Sequence, residues 1–199
     1  MCLLCLFVAD FLRVGMRIIS GKYKSRRLKA TPPAGIRPTS DKLRETLFNI
    51  LGGRVEGAAF LDGCAGVGAI GIEAISRGAA SVHFVDQSRK ACHMIRENLK
   101  SLEIEEGFRV MEMDLLRALS TVNAGFDIAF IDPPYEREDV YEAVLERFGS
   151  SPWLTPGGIL ILEHSKRKVL PDSSGAVRKI RSLVQGDAAL AFYSSLGEP

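Results

Sequence analysis

Residues 126–135 read FDIAFIDPPY and join an apolar strand to an abrupt polar end. The continuous apolar run IAFI is typical of a strand that is buried on both faces. Proline lacks the N–H group that a strand ladder needs, so Pro133 and Pro134 end this strand. In open α/β sheets ligands bind beyond the carboxyl ends of the strands, which makes Asp132 and Tyr135 candidate binding residues. The alternative is a plain turn whose acid only caps the local backbone.

Strand-like and helix-like segments alternate from residue 59 onward. The predicted strands are 59–62, 81–86, 108–113, 126–132, 159–163, 176–184 and 188–194, and the predicted helices between them are 69–77, 89–102, 115–119 and 138–148. The last helix has Tyr141, Val144, Leu145 and Phe148 on one face, and Pro156-Gly157-Gly158 predicts a turn into the strand at 159–163. Such alternation predicts a mostly parallel sheet with helices on both faces. The last two strands are joined by the short turn Gly186-Asp187 and must be antiparallel. The predicted fold is therefore α/β and Rossmann-like, with seven strands and an antiparallel C-terminal hairpin strand.

A basic segment precedes this alternating region. Residues 16–54 contain ten Lys/Arg and two Asp/Glu, a net charge of +8, while the whole chain carries +2. A basic segment on an acidic body indicates a polyanionic partner, the alternative being a solvated surface. Residues 17–30 predict a basic β-hairpin or arm. A helix that Thr39 or Ser40 can cap follows, with Leu43, Leu47, Ile50 and Leu51 on its inner face.

The first fifteen residues form an apolar stretch with no basic start and no small-residue cleavage site. They are too short to span a bilayer, and we expect a non-family extension, with Met16 as the functional start, or an added amphipathic helix. Cys2 and Cys5 form a lone CxxC without a second pair, so neither a metal site nor a redox role is predicted. Few, scattered cysteines fit a reducing cytoplasm, and we expect a cytoplasmic protein without a membrane segment.

A glycine-rich loop lies between the first predicted strand and the first helix of the alternating region. Gly66, Gly68 and Gly71 form a GxGxxG pattern, which lets a backbone pass close to a ligand at a helix N-terminus. Alone the pattern is weak, because tight helix–strand packing also selects glycine. Asp86 ends the next predicted strand, where an acid can accept hydrogen bonds from ribose hydroxyls. The combination favours a ligand that contains a nucleoside.

Two further acids bear on which nucleoside binds. Asp62 ends the first strand, and in a dinucleotide site it would face a pyrophosphate of like charge. S-adenosylmethionine has no phosphate and carries a positive amino group and a sulfonium, which suit Asp62. Asp114 follows the third strand and either hydrogen-bonds an adenine amino group or caps a helix. Beside such a cofactor, Asp132 and a neighbouring carbonyl could hold an amino group of a base while Tyr135 stacks on its face.

These motifs resemble those of the class I S-adenosylmethionine-dependent methyltransferases that modify exocyclic amino groups. The resemblance is carried by FLDGCAGVGAIG at 60–71, FVD at 84–86, DPPY at 132–135 and LTPGGILILE at 154–163. RIISGKYKSRRLKA at 17–30, RPTSDKLRETLFNIL at 37–51 and GDAALAFY at 186–193 narrow it to the bacterial ribosomal RNA small subunit methyltransferase D family. The similarity runs from Met16 to about Ser194. Gly63-Cys64 departs from the Leu-Phe pair that the family usually has there.

The resemblance implies methyl transfer from S-adenosylmethionine to the exocyclic N2 of a specific guanine in 16S rRNA, within the small ribosomal subunit, by a monomer that needs no metal. The implied catalytic residues are Asp132, Pro133, Pro134 and Tyr135. The implied cofactor-binding residues are Asp62, Gly63, Ala65, Gly66, Gly68, Asp86, Gln87, Asp114, Leu115, Thr39 and Arg44. The implied RNA-binding residues are Lys22, Tyr23, Lys24, Arg26, Arg27, Lys29 and Arg37. Arg44 could equally pair with an acid on the next helix turn.

We expect one globular body with three parts: the extension at 1–15, the arm and cofactor-closing helix at 16–54, and the catalytic domain at 55–199. The alternatives are an N6-adenine methyltransferase of DNA or RNA, or a non-catalytic rRNA-binding assembly factor. A protein-glutamine methyltransferase shares the Pro-Pro-Tyr loop but not the N-terminal blocks. An NAD-dependent oxidoreductase would leave Asp62 and the DPPY sequence unexplained.

Overall fold

A computed structural model describes residues 16–29, 41–121, 125–150 and 153–195. The helices are α1 (Asp41–Leu51), α2 (Ala69–Ser76), α3 (Arg89–Ser101), α4 (Leu115–Thr121) and α5 (Glu138–Ser150), with a 3₁₀ helix at Gly52–Val55. The strands are β1 (Ala59–Gly63), β2 (Ser81–Asp86), β3 (Phe108–Glu112), β4 (Phe126–Ile131), β5 (Leu154–Ser165), β6 (Ser173–Ser174), β7 (Val177–Gln185) and β8 (Ala188–Ser195). None of the helices in these ranges is long and apolar enough to cross a membrane.

All eight strands form one sheet in the order β3-β2-β1-β4-β5-β8-β7-β6. The first five run parallel, and β8, β7 and β6 pair antiparallel to their neighbours. The strand order reverses between β1 and β4, which is where open α/β sheets place their ligands. The predicted α/β class and the antiparallel C-terminal hairpin are confirmed. The sheet has one strand more than predicted, because β6 has only two residues and therefore no hydrophobic pattern to read.

Two apolar layers enclose the sheet. We call one side the arm face, where residues 16–29, α1, α2 and α3 pack through side chains such as Ile18, Leu47, Ile72 and Ile95. On the opposite face, α4 and α5 pack against the sheet through side chains such as Leu119 and Val144. Strand side chains alternate between these faces, so each position along a strand fixes the layer that its side chain joins.

Helix α1 buries a different stripe from the one predicted. Leu43, Leu47 and Leu51 are buried as expected, whereas Ile50 is only half-buried. Arg44 and Phe48 are buried in its place. The buried positions follow the spacing of three and four residues that one helix face requires. A search for apolar residues leaves out Arg44, because arginine is charged. The predicted cap residues Thr39 and Ser40 lie outside the described residues.

Strand β5 starts earlier than predicted and contains the expected turn as an irregularity. Leu154 pairs with Phe126, but the next paired residue of β5 is Ile159, which lies opposite Ile128. Residues 155–158 therefore loop out of the ladder, and Gly157 has a φ of +76°, a conformation that favours glycine. The turn predicted at Pro156-Gly157-Gly158 is present, and β5 has residues paired with β4 both before and after it.

The arm, residues 16–29, is a short hairpin with one antiparallel bridge between Arg17 and Arg27. The N–H of Ile18 donates to the carbonyl of Arg26 at 2.9 Å, and the N–H of Leu28 donates to that of Met16 at 2.8 Å. Ile18 and Leu28 are buried in the arm-face core, so apolar side chains on both strands of the hairpin anchor it. The predicted hairpin is thus present in a minimal form.

Helix α2 binds the arm through the backbone of the arm. The buried carboxylate of Glu73 accepts hydrogen bonds from the N–H groups of Ile19 at 2.7 Å and Ser20 at 3.0 Å. Ser76 accepts the N–H of Tyr23 at its hydroxyl and that of Lys22 at its carbonyl. Gly21 passes so close to Ser76 that a Cβ would lie 1.8 Å from the Ser76 carbonyl oxygen, so this position excludes every side chain.

Asn98 of α3 binds the end of the arm to the glycine loop. Its side-chain oxygen accepts the N–H of Lys29 at 2.7 Å. Its amide nitrogen donates to the carbonyls of Lys29 and Val67, each at 3.1 Å. Asn98 is fully buried, and Val67 belongs to the GxGxxG sequence. One side chain therefore connects the basic arm directly to the loop that was predicted to hold the cofactor.

Candidate active site

Four acidic residues lie at the carboxyl ends of four adjacent strands. Asp86 ends β2, Asp62 is near the end of β1, Asp132 follows β4, and Glu163 is near the end of β5. Each acid lies two residues after a strand residue that packs in the arm-face core. Because side chains alternate along a strand, all four acidic side chains point to that face. The first three were predicted from the sequence. Glu163 was missed, although its position at the end of a predicted strand is the same signal.

Asp62 caps the N-terminus of α2 from outside the helix. The helix follows Gly68, which has no side chain to cap it, and the Asp62 carboxylate accepts the N–H of Gly71 at 2.8 Å. Asp62 is buried, and burial raises the pKa of its carboxyl group to about 8. The hydrogen bond from Gly71 opposes this rise, and the charge of Asp86 adds to it. Part of the reason for an acid at this position is therefore structural.

Asp86 organises the glycine loop. One of its carboxylate oxygens accepts the N–H of Gly66 at 2.9 Å, and the other accepts the N–H of Ser88 at 2.8 Å. Gly66 has a φ of +56°, and a Cβ placed there would meet no atom within 4 Å. The loop thus presents bare backbone to open space at the edge of the sheet. This arrangement fits a cofactor that lies against the loop, and the surrounding carboxyl groups fit one that is positively charged.

Asp132 is the acid that follows β4. Its N–H donates to the carbonyl of Gly63 at 3.1 Å, which ties the loop after β4 to the end of β1. Partial burial raises the pKa of the Asp132 carboxyl group well above its ordinary value, and the charges of Glu163 and then Asp62 raise it further. These acids therefore repel one another, and a cation among them would favour their ionised forms.

Tyr141 supports the loop from the opposite face. Its hydroxyl donates to the carbonyl of Glu163 at 3.1 Å and approaches that of Pro133 at 3.4 Å. Tyr141 is buried, and burial raises the pKa of its hydroxyl, so it remains a donor. Pro133 was predicted to offer this carbonyl to an amino group, and a carbonyl has a second lone pair for that role. Sequence reasoning placed Tyr141 only on the inner face of its helix.

Tyr135 and Pro134 lie at the rim of the site. Both are exposed, Tyr135 by 39%, although large aromatic side chains are usually buried. An exposed ring beside Asp132 is placed where it could cover the face of a base. The four predicted catalytic residues are therefore contiguous at the carboxyl end of β4, beside the glycine loop at the end of β1.

The remaining predicted cofactor residues differ in their surroundings. Gln87 and Asp114 are exposed at the same edge. Asp114 caps α4, because its carboxylate accepts the N–H groups of Leu116 at 2.9 Å and Arg117 at 3.2 Å. The side chain of Leu115 is buried in the core of the opposite face, so only its backbone could meet a cofactor. Contact of these residues with the cofactor stays a prediction.

The unusual pair Gly63-Cys64 is accommodated by the strand end. A Cβ on Gly63 would lie 2.4 Å from Cδ1 of Ile131, so the space that a larger residue would take is filled. Cys64 has a φ of +61°, which is uncommon for a residue other than glycine. Burial and the charges of Asp132 and other nearby acids raise the pKa of its thiol, which argues against a nucleophilic role.

Arg44 makes the alternative contact that the sequence left open. It is fully buried, and its Nη2 donates to the carboxylate of Asp41 and to the carbonyl of Arg17, each at 2.7 Å. The acid is one helix turn before it. Arg44 therefore joins α1 to the arm, and its predicted contact with the cofactor remains a prediction. Thr39 and Arg37 lie outside the described residues.

Comparison with known proteins identifies the family. The family described as Conserved hypothetical protein 95 matches residues 16–194. "Ribosomal RNA small subunit methyltransferase D" of Escherichia coli is 32% identical over 178 residues, with 89% of each chain covered. The chain belongs to this family. "Putative rRNA methyltransferase YlbH" of Bacillus subtilis is 37% identical over 185 residues, which cover 92% of this chain and all of that protein.

A solved structure gives the same assignment. "Putative methyltransferase yhhF from Escherichia coli" has a TM-score of 0.80 and is 30% identical, with 92% of this chain and 99% of that chain covered. The fold is that of the class I methyltransferases, as the sequence predicted. Family membership thus agrees with the strand order and with the position of the glycine loop at the reversal between β1 and β4.

The arm of this methyltransferase D family member exposes all of its predicted RNA-binding cations. Three of them also have intramolecular contacts: Lys29 pairs with Glu97 at 3.1 Å, Arg26 donates to the carbonyl of Ser101, and Lys22 lies over the ring of Tyr23. The turn at the tip of the arm contacts Ser76, the last residue of α2. Because α2 starts at the glycine loop and extends roughly 12 Å from it, the tip lies away from Asp132.

Acidic and sulfur-bearing side chains are numerous near the site, but within the described ranges no three of His, Cys, Asp and Glu are grouped so as to hold a metal ion. The carboxyl groups of Asp62 and Asp86 instead accept backbone N–H groups. These two carboxyl groups therefore order the glycine loop and the start of α2.

Proposed function

We propose that this protein transfers a methyl group from S-adenosylmethionine to the exocyclic N2 of a guanine in 16S rRNA. The observation that carries the proposal is the adjacency of two parts. The Asp132–Tyr135 loop, rich in hydrogen-bond acceptors, follows β4, and the glycine loop follows the neighbouring strand β1. The names of the relatives support an rRNA substrate. The choice of guanine N2 follows from the family resemblance.

The cofactor would lie along the carboxyl edge of β1 and β2. Gly66 leaves room for close approach, and Asp86, at the end of β2, would accept ribose hydroxyls with the lone pairs that its bonds to Gly66 and Ser88 leave. Asp62 and Asp132 would become negatively charged when the amino and sulfonium groups lie beside them, because a cation favours their ionised forms. When bound, S-adenosylmethionine supplies a methyl group that its sulfonium already activates. The protein then needs mainly to align the acceptor.

The target base would enter beside Asp132. Its carboxylate and the carbonyl of Pro133 would accept the two hydrogens of the amino group and so direct the nitrogen lone pair toward the methyl group. Tyr135 would stack on the face of the base, which has to leave its own stack to enter. Tyr141 fixes the Pro133 carbonyl from behind. After transfer, the surplus proton leaves to water or to Asp132.

We propose that the protein acts as a monomer in the cytoplasm, without a metal, on rRNA within the small ribosomal subunit. Residues 16–54 would serve as an RNA-binding arm and a helix that closes over the methionine end of the cofactor. Residues 55–199 would carry the chemistry. Arg37 and Thr39 belong to the first of these parts.

A labelled-methyl transfer assay tests the proposal. Purified protein is offered unmethylated small ribosomal subunits, free 16S rRNA, duplex DNA and a peptide-release factor, and the products are digested and identified by mass spectrometry. N2-methylguanosine from ribosomal RNA is the expected product. Label in N6-methyladenine or in protein would show that the assignment of guanine N2 is wrong. Binding of the cofactor without transfer to any substrate would favour a non-catalytic assembly factor.

Asp132→Ala tests the central residue. Because this change removes the acceptor that aligns the amino group, kcat/KM for the ribosomal substrate should fall roughly a thousandfold. Cofactor affinity, measured by calorimetry, should stay within a few-fold of wild type. Asp139→Ala is the control, since it removes an exposed acid that pairs with Arg137. Normal turnover by Asp132→Ala would show that the assignment of Asp132 is wrong.

A further inference from the structure

The body of the protein outside the arm is not uniformly acidic. Residues 55–164 contain nine Lys/Arg and eighteen Asp/Glu, a net charge of −9. Residues 165–185 contain six Lys/Arg and one Asp/Glu, a net charge of +5. These residues include the end of β5, the connection to β7, and β7 itself. A second basic segment therefore lies at the far end of the fold from the arm.

Half of the cations in this second segment form no ion pair within the described part of the chain. Lys166, Lys168 and Lys179 pair with Asp187, Glu138 and Asp172, at 2.9, 3.6 and 3.0 Å. Arg167, Arg178 and Arg181 are exposed, and none of the three forms an ion pair with any residue that the structure describes. The charges that remain available to a partner are thus all arginines, whose planar guanidinium suits bidentate contact with phosphate.

A β-bulge places two of these arginines on one face. Residues three apart on a regular strand point to opposite faces. In β7, however, Arg178 lies opposite Ser194 and Arg181 lies opposite Phe192, with a register shift between Lys179 and Arg181. Directly opposed residues of antiparallel strands share a face, and Phe192 belongs to the arm-face core. The extra residue, Ile180, leaves both arginines on the arm face.

The two basic regions flank the candidate active site. The arm binds α2 and α3, which cover β1, β2 and β3. Strand β7 lies on the other side of β4, three strands away, at about 14 Å. Arg167 comes just after β5, where the N–H of Lys166 donates to the carbonyl of Asp187 in the β7–β8 turn. Arg167 therefore lies at the same carboxyl edge as Asp132.

We infer that Arg178 and Arg181, with Arg167 at the edge, form a second RNA-binding surface that contacts the phosphate backbone on the side of the active site opposite the arm. The inference rests on the proposed function and adds to it a surface outside the predicted RNA-binding residues. RNA that brings a base to Asp132 would meet cations on both sides. By register, Arg181 lies level with Ile161 and Arg178 level with Ile159, so both lie on the arm face toward the amino end of β5. Arg167 is the cation of this surface that lies at the edge itself.

The double substitution Arg178→Gln/Arg181→Gln tests this surface. The matched control is Arg117→Gln/Arg147→Gln, which removes the same charge from exposed positions of α4 and α5 on the opposite face. Methyl transfer and binding are measured with free 16S rRNA and with unmethylated small subunits, from 0.05 to 0.3 M salt. Cofactor affinity and thermal unfolding are measured for every variant.

For the β7 variant, KM for free 16S rRNA should rise roughly tenfold at physiological salt, with kcat unchanged, since phosphate contacts add binding and not chemistry. The slope of log Kd against log salt should fall by roughly one to two. The control should match wild type in both. An unchanged KM and slope in the β7 variant, with wild type active, would overturn the surface and leave the proposed function intact.

Two other results would also be decisive. A defect confined to assembled subunits, with free rRNA bound normally, would indicate a ribosomal protein as the partner and overturn the assignment to RNA. Absence of transfer and binding with every ribosomal substrate in the wild type would overturn the proposed function and this inference together. The two failures are therefore distinguishable by the behaviour of the wild type.

Discussion

Asp62 shows how one buried carboxyl group can serve both the fold and the chemistry. It caps α2 through Gly71, and it lies among Asp86 and Asp132 at the edge where a cationic cofactor would bind. Burial raises its pKa to about 8, so near neutral pH it is mainly protonated in the protein alone. A cation beside it would favour ionisation, and binding would then release a proton.

This gives a prediction for pH dependence. Below about pH 8 the cofactor must displace a proton from Asp62, so this group should lower the affinity as the pH falls, by at most about tenfold per unit, and its contribution should level off above pH 8. Calorimetry in buffers of different ionisation enthalpy measures both the affinity and the released proton. In Asp62→Asn the share of the released proton that comes from Asp62 should be lost, so proton release should be smaller than in wild type, and this comparison removes any titration of Asp132 or of the cofactor itself. Equal proton release by both proteins would contradict the prediction.

Among the structural elements, the arm depends on buried polar side chains of its neighbours. Asn98→Ala should break three hydrogen bonds at once and leave partly buried backbone groups of Lys29 and Val67 without these partners. The free energy of unfolding should fall by roughly 2–4 kcal/mol. Hydrogen exchange should show the amides of residues 16–29 losing protection before those of the sheet.

Asn49→Ala is the control for this experiment, because Asn49 is exposed on α1. It should change the free energy of unfolding by less than about 0.5 kcal/mol. If Asn98→Ala leaves the arm amides as protected as in wild type, the arm is held by Ile18, Leu28 and Glu73, and the contact with Asn98 is dispensable.

Periodic elements were the part of the fold that the sequence predicted well. The helix at 138–150 buries Tyr141, Val144, Leu145 and Phe148, as the spacing predicted. Sequence patterns missed the buried polar positions, because a pattern of apolar residues treats Arg44, Glu73 and Asn98 as surface. Strand register is also non-local, so neither the pairing of Leu154 with Phe126 ahead of the turn nor the bulge in β7 could be predicted.

The sequence predicted those site residues whose position follows from the end of a single strand. Asp62, Asp86 and Asp132 each follow a recognisable strand, and parallel strands bring such ends together. Tyr141 and Glu163 escaped notice because their contacts depend on how α5 and β5 pack beside β4. The roles proposed for Asp114 and Arg44 had structural alternatives, and the structure shows those alternative contacts.

For the molecule as a whole, the arm and α1 are part of the core. Ile18, Leu28, Leu43, Leu47, Phe48 and Leu51 join the same apolar cluster as the inner residues of β1 and β2. Removing these six side chains would forfeit roughly 10 kcal/mol of apolar burial, comparable with the whole stability of a typical domain. The boundary at residue 54 therefore separates functions and not folding units.

A fragment of residues 55–199 should accordingly fail to fold. We expect it to bind hydrophobic dyes, elute as aggregates and lack a cooperative thermal transition, whereas the full chain gives a single transition. Circular dichroism and size-exclusion chromatography are sufficient measurements. A monomeric fragment with a cooperative transition would show that the catalytic part is autonomous.

The docking of the arm through its own main chain has an evolutionary consequence. Glu73, Ser76 and Asn98 bind backbone atoms of the arm, so they make few demands on its side chains. The cations of the arm can therefore be substituted while its placement is retained. A change of target specificity there would not require changes in the sheet. Gly21, pressed against Ser76, is the position at which such drift must stop.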